Sequence, residues 1–277
     1  MITSTSNKRI KSIRKLRDRK ERHASGLFFV EGIRIVAEAV DAEKSGHNSC
    51  IDTLIVSYDF LKSAYGRGLI EEAAERGSPI LEVSGDVFQN IAMKDNPQGL
   101  AAVVNQDWSC LDDIGNIGES FKGSGSWIAL DAVQNPGNLG TILRTHDAVG
   151  GSGVILLDHT VDPYDPTAVR ASMGAVLSQR LIQVPLSVFS EWKMQFGYPV
   201  IGTSGEAKMD YQEMDYPASL ILLMGSEREG LQAKHLRLCD SIVKIPMVGK
   251  SDSLNLAVAT AVVLYEIFNQ HRCKFNK

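Results

Sequence analysis

No run in the 277 residues approaches the twenty consecutive apolar positions that a membrane-spanning helix needs. The polar, basic N-terminus has no apolar segment behind it, so neither a membrane span nor a secretory signal is expected, and a cytoplasmic setting is. Cysteines are few and scattered, at 50, 110, 239 and 273, which excludes a zinc knuckle or a CxxC redox pair and leaves reduced thiols as the expectation. No metal is expected, because no His/Cys cluster has ligand spacing. No internal repeat is present. What remains is the composition of a globular protein, 44% hydrophobic and 22% charged, in a chain long enough for two domains.

The net charge of -4 hides an asymmetry. In "MITSTSNKRIKSIRKLRDRKER", Lys8, Arg9, Lys11, Arg14, Lys15, Arg17, Arg19, Lys20 and Arg22 face only Asp18 and Glu21. That leaves +7 in the first 22 residues and about -11 in the rest. Such a segment attracts a phosphate backbone through counterion release. A solvated basic tail and a membrane-surface helix are the alternatives. Ile10, Ile13 and Leu16 predict a modest amphipathic helix that packs lightly.

Residues 27–104 alternate between strand and helix patterns: strands at 27–30, 51–56, 80–83 and 100–104, helices at 33–40 and near 69–75. They predict a small α/β domain over 1–105. A Gly/Ser/Asp-rich linker over 106–126 follows, and a second domain over 127–277 has strands near 127–131, 153–157, 180–184, 198–203, 220–225 and 242–245. Strands alternating with helices predict a largely parallel sheet whose strand ends carry the ligand loops. "GGSGV" at 150–154 precedes a strand, the wrong order for a pyrophosphate loop.

Three polar loops each follow an apolar strand. In "DAVQNPGNLGTILRTHDAVGG" the residues 135–138 read as a turn and Thr141 to Val149 as a helix, with Arg144 beside a helix start that offers backbone amides to an anion. "LILLMGSEREGL" ends a buried strand in Gly225 to Gly230, where Glu227 could accept hydrogen bonds and Ser226 could cap a helix. "IPMVGKSDSLNLAVATAVVLYEIF" leads from a polar loop into a helix that is apolar on nearly every side. Such a helix is buried in a core or against another subunit.

In order and spacing these three motifs resemble the SpoU, or TrmH-like, RNA 2′-O-ribose methyltransferases, as do "VRASMGA" at 169–175 and "GLFFVEGIRIVAEAV" at 26–40. The resemblance covers nearly the whole chain. It implies an N-terminal RNA-binding α/β domain and a C-terminal parallel-sheet domain with a deep trefoil knot, the SPOUT fold. It also implies a homodimer through the C-terminal domain and S-adenosylmethionine as cofactor. By position, Gly225, Ile245, Leu254, Met247, Thr203 and Ser204 would contact the cofactor, and Asn138, Arg144, Glu227, Ser253 and Asn255 would line the reaction site. Three positions depart from the family pattern: His146 for a small residue, Asn135 for an aspartate and Thr167 for a lysine. None of them is a residue with a proposed chemical role.

Methyl transfer from a sulfonium to a ribose hydroxyl demands alignment and loss of the hydroxyl proton. A guanidinium keeps its proton at ordinary pH, so Arg144 suits a phosphate clamp that stabilises developing alkoxide better than a base. An ion pair of Arg144 with Asp131 or Asp147 is the structural alternative. Ribosomal RNA is the expected substrate, on the likeness of the two-domain layout to ribosomal RNA modifiers. Transfer RNA is the alternative within the enzyme class, and a non-catalytic RNA-binding or ribosome-assembly protein is the alternative outside it.

Overall fold

Phe29 is buried together with Val103, Ile55 and Leu81 from three other strands, while Phe28 and Val30 are buried on the opposite face, and this apolar sheet organises the first half of the chain. The computed structural model describes residues 1–44, 51–114 and 125–275. Cys50 and positions 115–124 of the expected linker lie outside the described residues. By internal contacts the chain divides into Met1–Asp107 with Asp162–Ser178, and Trp108–Val161 with Gln179–Lys277. Segment 162–178, which sequence assigns to the second domain, therefore belongs to the first unit.

In the first unit, α1 (Lys8–Lys15), α2 (Arg19–Ser25), β1 (Leu27–Glu31), α3 (Ile33–Lys44), β2 (Ile51–Val56), α4 (Ala64–Glu75), β3 (Ile80–Glu82), α5 (Gly85–Ile91) and β4 (Leu100–Asn105) build a four-stranded sheet of order β1-β4-β2-β3. β4 runs antiparallel to both neighbours, and β2 pairs parallel with β3. α5 has no counterpart in the sequence pattern. Its N-cap Ser84 accepts from the Val87 amide, and Val87, Phe88 and Ile91 reach the core.

The basic segment is neither a tail nor lightly packed. Ile10, Ile13 and Leu16 are buried with Phe88, Ile91 and Val83, because a period of three to four residues puts all three on one helix face. Arg22 is a correction to the expected RNA-binding set: it is 2% exposed and paired with Asp162 at 2.7 Å, and its Nη1 donates to the carbonyls of Leu16 and Arg17. Arg17 is likewise engaged, donating to the carbonyls of Ile91 and Ala92 at the end of α5. Breaking a buried ion pair by removing one partner strands the other, so Arg22→Ala is expected to cost about 3–5 kcal/mol of unfolding free energy in chemical denaturation. A loss below about 1 kcal/mol would mean the pair contributes no more than a surface contact.

The second unit opens on β5 (Ser126–Asp131) and α6 (Pro136–Ala148), followed by β6 (Gly153–Leu157). The intervening α7 (Pro166–Ser172) lies in the first unit. Then come β7 (Arg180–Val184), α8 (Leu186–Phe196), β8 (Val200–Thr203), the short β9 (Met209–Asp210), β10 (Leu220–Met224), α9 (Ala233–Leu236), β11 (Ser241–Lys244) and α10 (Leu256–Phe275). The sheet is parallel throughout, in the order β7-β6-β5-β10-β8-β11-β9. β5, β6 and β10 are buried along their whole length, as unbroken apolar runs covered on both faces must be.

The core centres on Trp127, Ile155, Ile182, Phe189, Ile221 and Leu223, each worth roughly 1.5–3 kcal/mol on full burial. The glycines of "GGSGV" serve this packing: a Cβ on Gly153 would stand 2.3 Å from the Trp127 ring, and one on Gly151 would stand 1.9 Å from the His146 ring. Gly151 thereby makes room for the imidazole at 146. That ring is wholly buried, with Nδ1 2.7 Å from Gln179 Oε1 and Nε2 3.1 Å from the Ser126 carbonyl, and burial pushes its pKa down.

Candidate active site

α6 begins earlier than the glycines suggest. Asn135 is its N-cap, accepting from the amides of Gly137 and Asn138, and Pro136 takes the first helical position, where a missing N–H costs nothing. Residues 136–138 are thus the first turn of the helix rather than a loop before it, and Asn138 rides on a rigid element. The departure from aspartate at 135 keeps the cap, since either side chain offers the oxygen.

Motif two leads into a helix later than its serine suggests: Ser226 caps none, and α9 starts at Ala233 with Gln232 as its N-cap. Gly230 donates to the Ser226 carbonyl and Glu229 to the Ser226 hydroxyl, closing residues 226–230 into a turn. A Cβ at Gly225 would stand 2.1 Å from the Gly230 carbonyl, so glycine is required there by the chain's own fold. The turn aims Glu227 at α6. Its Oε1 accepts from Asn138 Nδ2 at 3.0 Å and from the Asn135 amide at 3.2 Å, and its Oε2 accepts from the Gln134 amide at 3.2 Å. The amides of Gln134 and Asn135 just ahead of α6 are thus taken by the protein's own carboxylate, and those of Gly137 and Asn138 by the Asn135 side chain.

Motif three completes the arrangement. Asn255 caps α10 through Oδ1, which accepts from the amides of Ala257 and Val258, and its Nδ2 donates to Asn138 Oδ1 at 3.1 Å. One asparagine on each of two helices and a glutamate on a turn are linked in series, so the three motifs meet in a single hydrogen-bonded line. Partial burial acts to raise the Glu227 pKa, but the hydrogen bonds from Asn138 and the backbone amides outweigh it and hold the carboxyl below its usual range. A depressed carboxylate contributes stability above its unfolded pKa and loses it as pH falls through the folded value, so the line is intact at neutral pH. A carboxylate occupied by three N–H groups is a poor proton acceptor, and Glu227 is a positioning residue.

Arg144 and Ser253 stand outside this line. Arg144 is exposed and makes no hydrogen bond or ion pair among the described residues, so pairing with Asp131 or Asp147 is not its role. It lies six residues beyond Asn138, roughly 9 Å along the helix and about 120° around it. Ser253 is exposed and its hydroxyl donates to Asp252 Oδ1 at 3.3 Å.

Asp131 is a further buried group that sequence did not mark as a site residue. His235 Nδ1 accepts from the Gln232 amide, so its proton sits on Nε2, 3.0 Å from Asp131 Oδ2. The burial that keeps this imidazole neutral opposes the pull of the carboxylate and wins. The only sequence signal was an acidic residue ending an apolar strand.

The residues expected at the cofactor lie at the C-terminal ends of three neighbouring strands: Thr203 and Ser204 after β8, Gly225 after β10, and Ile245 and Met247 after β11. Leu254 precedes α10. Thr203 Oγ1 donates to Met224 Sδ at 3.4 Å. Met247 and Leu254 are each 38% exposed and Val248 is fully so. Apolar side chains left open beside polar strand ends suit a ligand with both an apolar ring and a charged tail.

Residues 126–265 match the SpoU rRNA Methylase family, and residues 7–102 match the MRM3-like substrate binding domain. An AdoMet-bound rRNA methyltransferase from Sinorhizobium meliloti superposes with a TM-score of 0.85 at 35% identity, over 97% of each chain. The SpoU methyltransferase AviRb from Streptomyces viridochromogenes gives 0.83 at 28% identity, over 97% of this chain and 99% of that one. A 23S rRNA (uridine(2479)-2′-O)-methyltransferase of the same organism is 31% identical over 92% of this chain and 87% of its own. The all-parallel sheet, with α10 returning onto α6, is that of the SPOUT knot fold. With its three motif loops joined as described, the chain belongs to the SpoU rRNA methylase family and is an RNA methyltransferase.

Proposed function

We propose that this chain transfers the methyl group of S-adenosylmethionine to a ribose 2′-hydroxyl of ribosomal RNA. The observation that carries this is the Glu227–Asn138–Asn255 line, which brings one residue from each motif to one place. When bound, the cofactor supplies an electrophilic methyl on a positive sulfur. Met247, Leu254 and Ile245 would cover its apolar part, and Thr203, Ser204 and the backbone at Gly225 would meet its polar part. Asn138 is held with both ends of its amide satisfied, so it presents a fixed edge to a ribose. Ser253, two residues before the α10 cap, would hold the hydroxyl in line. The Arg144 guanidinium, unpaired among the described residues, would clamp a phosphate and stabilise negative charge growing on the ribose oxygen.

Ribosomal RNA as substrate is supported by whole-chain likeness to proteins named for it, the uridine 2′-O-methyltransferase above and a 23S rRNA (guanosine(2553)-2′-O)-methyltransferase, RlmP, from Bacillus subtilis, which is 29% identical over 96% of this chain. A cytoplasmic setting belongs to the same proposal. Lys8, Lys11, Arg14, Arg19 and Lys20, exposed and in no ion pair among the described residues, would face the RNA backbone, with Arg9 and Lys15 beside them. The test is methyl transfer from radiolabelled cofactor to ribosomal and to transfer RNA, followed by nucleoside analysis. Label in 2′-O-methyl nucleosides of ribosomal RNA is expected. Label confined to transfer RNA, or to bases, would overturn the assignment, and no transfer to any RNA would favour a non-catalytic role.

A homodimer through α10 is part of the proposal. One side of α10 is spent inside the protomer: Leu256, Val263, Leu264 and Ile267 are buried, and the helix packs on α6. The other side presents Val258 at 50% and Tyr265 at 47% exposure, with Val262 and Phe268 half-buried between them. This stripe, at i, i+4, i+7 and i+10, has the spacing of a helix face that a partner would cover. Tyr265→Asp is expected to weaken association at least tenfold with secondary structure kept, read by light scattering against concentration. A mass unchanged from a wild-type dimer would move the interface elsewhere, and a monomeric wild type would remove it.

A further inference from the structure

Glu31 ends β1 and is 5% exposed, yet only half of its carboxylate is satisfied. Oε2 accepts from the Met93 amide at 2.7 Å, while Oε1 is buried with no hydrogen-bond partner among the described residues. A buried carboxylate oxygen without a donor is costly, so such an atom marks a place where a donor is meant to arrive. It lines a cleft in the first unit whose walls are Phe29, Ile35, Met93 and Val169, and whose lining also includes Lys94, Thr167 and Arg170. Lys94 and Arg170 are exposed and in no ion pair among the described residues. Burial pushes the Glu31 carboxyl up, opposed by the Met93 amide, by the charges of Lys94 and Arg17 and, least, by the Lys94 amide.

Three chemistries thus share one cleft: an acceptor buried in its wall, apolar faces including an aromatic ring, and two free cations. A phosphate alone would have no use for a carboxylate, and a free base would have no use for two cations. We propose that this cleft is a subsite for one unpaired ribonucleotide, its base donating an N–H to Glu31 Oε1 and its phosphate meeting Lys94 and Arg170. Every base carries at least one N–H donor on its Watson–Crick edge, and unstacked bases are what single-stranded RNA readers take up. The inference rests on the reading of this chain as an RNA enzyme and adds a point of RNA contact on the first unit.

The test uses the full chain saturated with S-adenosylhomocysteine, so that mononucleotides cannot report the cofactor site. Cytidine and guanosine 5′-monophosphate are titrated by NMR, with the free nucleosides and inorganic phosphate as controls. Binding of the monophosphates is expected to weaken about tenfold in Glu31→Gln, which places an amide N–H where the base donor would lie. It is expected to weaken similarly in Lys94→Ala and Arg170→Ala, whose side chains are exposed and whose loss spares the fold. The nucleosides should feel Glu31→Gln and be indifferent to the two cation variants. Inorganic phosphate binding as tightly as the monophosphates, with Glu31→Gln without effect, would overturn the proposal in favour of a plain anion site. So would the absence of any variant-sensitive binding. Methyl transfer to RNA is scored separately: an active enzyme whose cleft binds no mononucleotide sinks this inference alone, and a cleft that binds mononucleotides on a chain that methylates no RNA sinks the activity instead.

Discussion

Arg144→Ala is expected to lower methyl transfer about 10²-fold or more while thermal stability and cofactor affinity stay near wild type. The Arg144 side chain is exposed on α6 and makes no cap, hydrogen bond or ion pair among the described residues, so its removal takes no described interaction out of the folded chain. A surface substitution away from such features lies within about 0.5 kcal/mol, so a large loss of rate cannot be a stability effect. Removing one donor aimed at developing charge costs about 10²–10³ in rate. Arg144→Lys keeps the charge and loses the two-pronged geometry, so it should retain part of the activity. A general base at 144 would behave otherwise, with the lysine variant gaining steeply toward alkaline pH as an amine deprotonates more readily than a guanidinium. A pH-rate series at saturating RNA separates the two. A lysine variant as inactive as alanine at every pH would sink the charge clamp.

Buried strands were the most legible part of this fold. The apolar runs at 127–131 and 153–157 stand within a residue of β5 and β6, because strands covered on both faces leave no polar alternation to blur their ends. Helix starts were less legible. Asn-Pro-Gly-Asn carries the residues of a turn and equally those of a capped helix, and the deciding fact, that Glu227 sits 93 positions away from Gln134 and holds its amide, is tertiary. The same holds for "GSEREG", whose serine matches an N-cap and whose glycines close a turn.

The site was legible as a set of residue types and not as a geometry. Asn138, Glu227 and Asn255 were marked on motif grounds, and the structure joins them. Arg22, one of nine basic residues in a charged run, was marked on charge alone and is spent on Asp162, a partner 140 residues on. Charge counting cannot see such a pairing, because it averages over side chains without asking which of them point inward. Glu31 failed to show for the converse reason: one acidic residue at a strand end has no local signature, and its unfilled oxygen is visible only once the cleft is closed around it.

The largest effect belongs to the substrate. An RNA carrying a single 2′-deoxy substitution at the target nucleotide is expected to bind within a few-fold of the native RNA and to accept no methyl group at that position. Binding should survive because, on the proposed function, phosphate contacts from the exposed lysines and arginines of α1 and α2 and from Arg144 would carry it, none of which involves the missing oxygen. Transfer should vanish because the nucleophile itself is gone, and no neighbouring group can replace it: the new bond is from the ribose oxygen to carbon, and without that oxygen there is nothing to deprotonate or align. Lining residues then become testable in the same assay. Asn138→Ala cuts the line between Glu227 and Asn255 at its centre and should reduce transfer to native RNA without restoring any to the deoxy substrate. Salt separates the binding contribution from the chemical one, since affinity for both RNAs should fall in parallel with added salt, whereas the ratio of their transfer rates should not move. Methylation of the deoxy substrate at the target position, at any salt, would place the acceptor on the base and would overturn the ribose assignment.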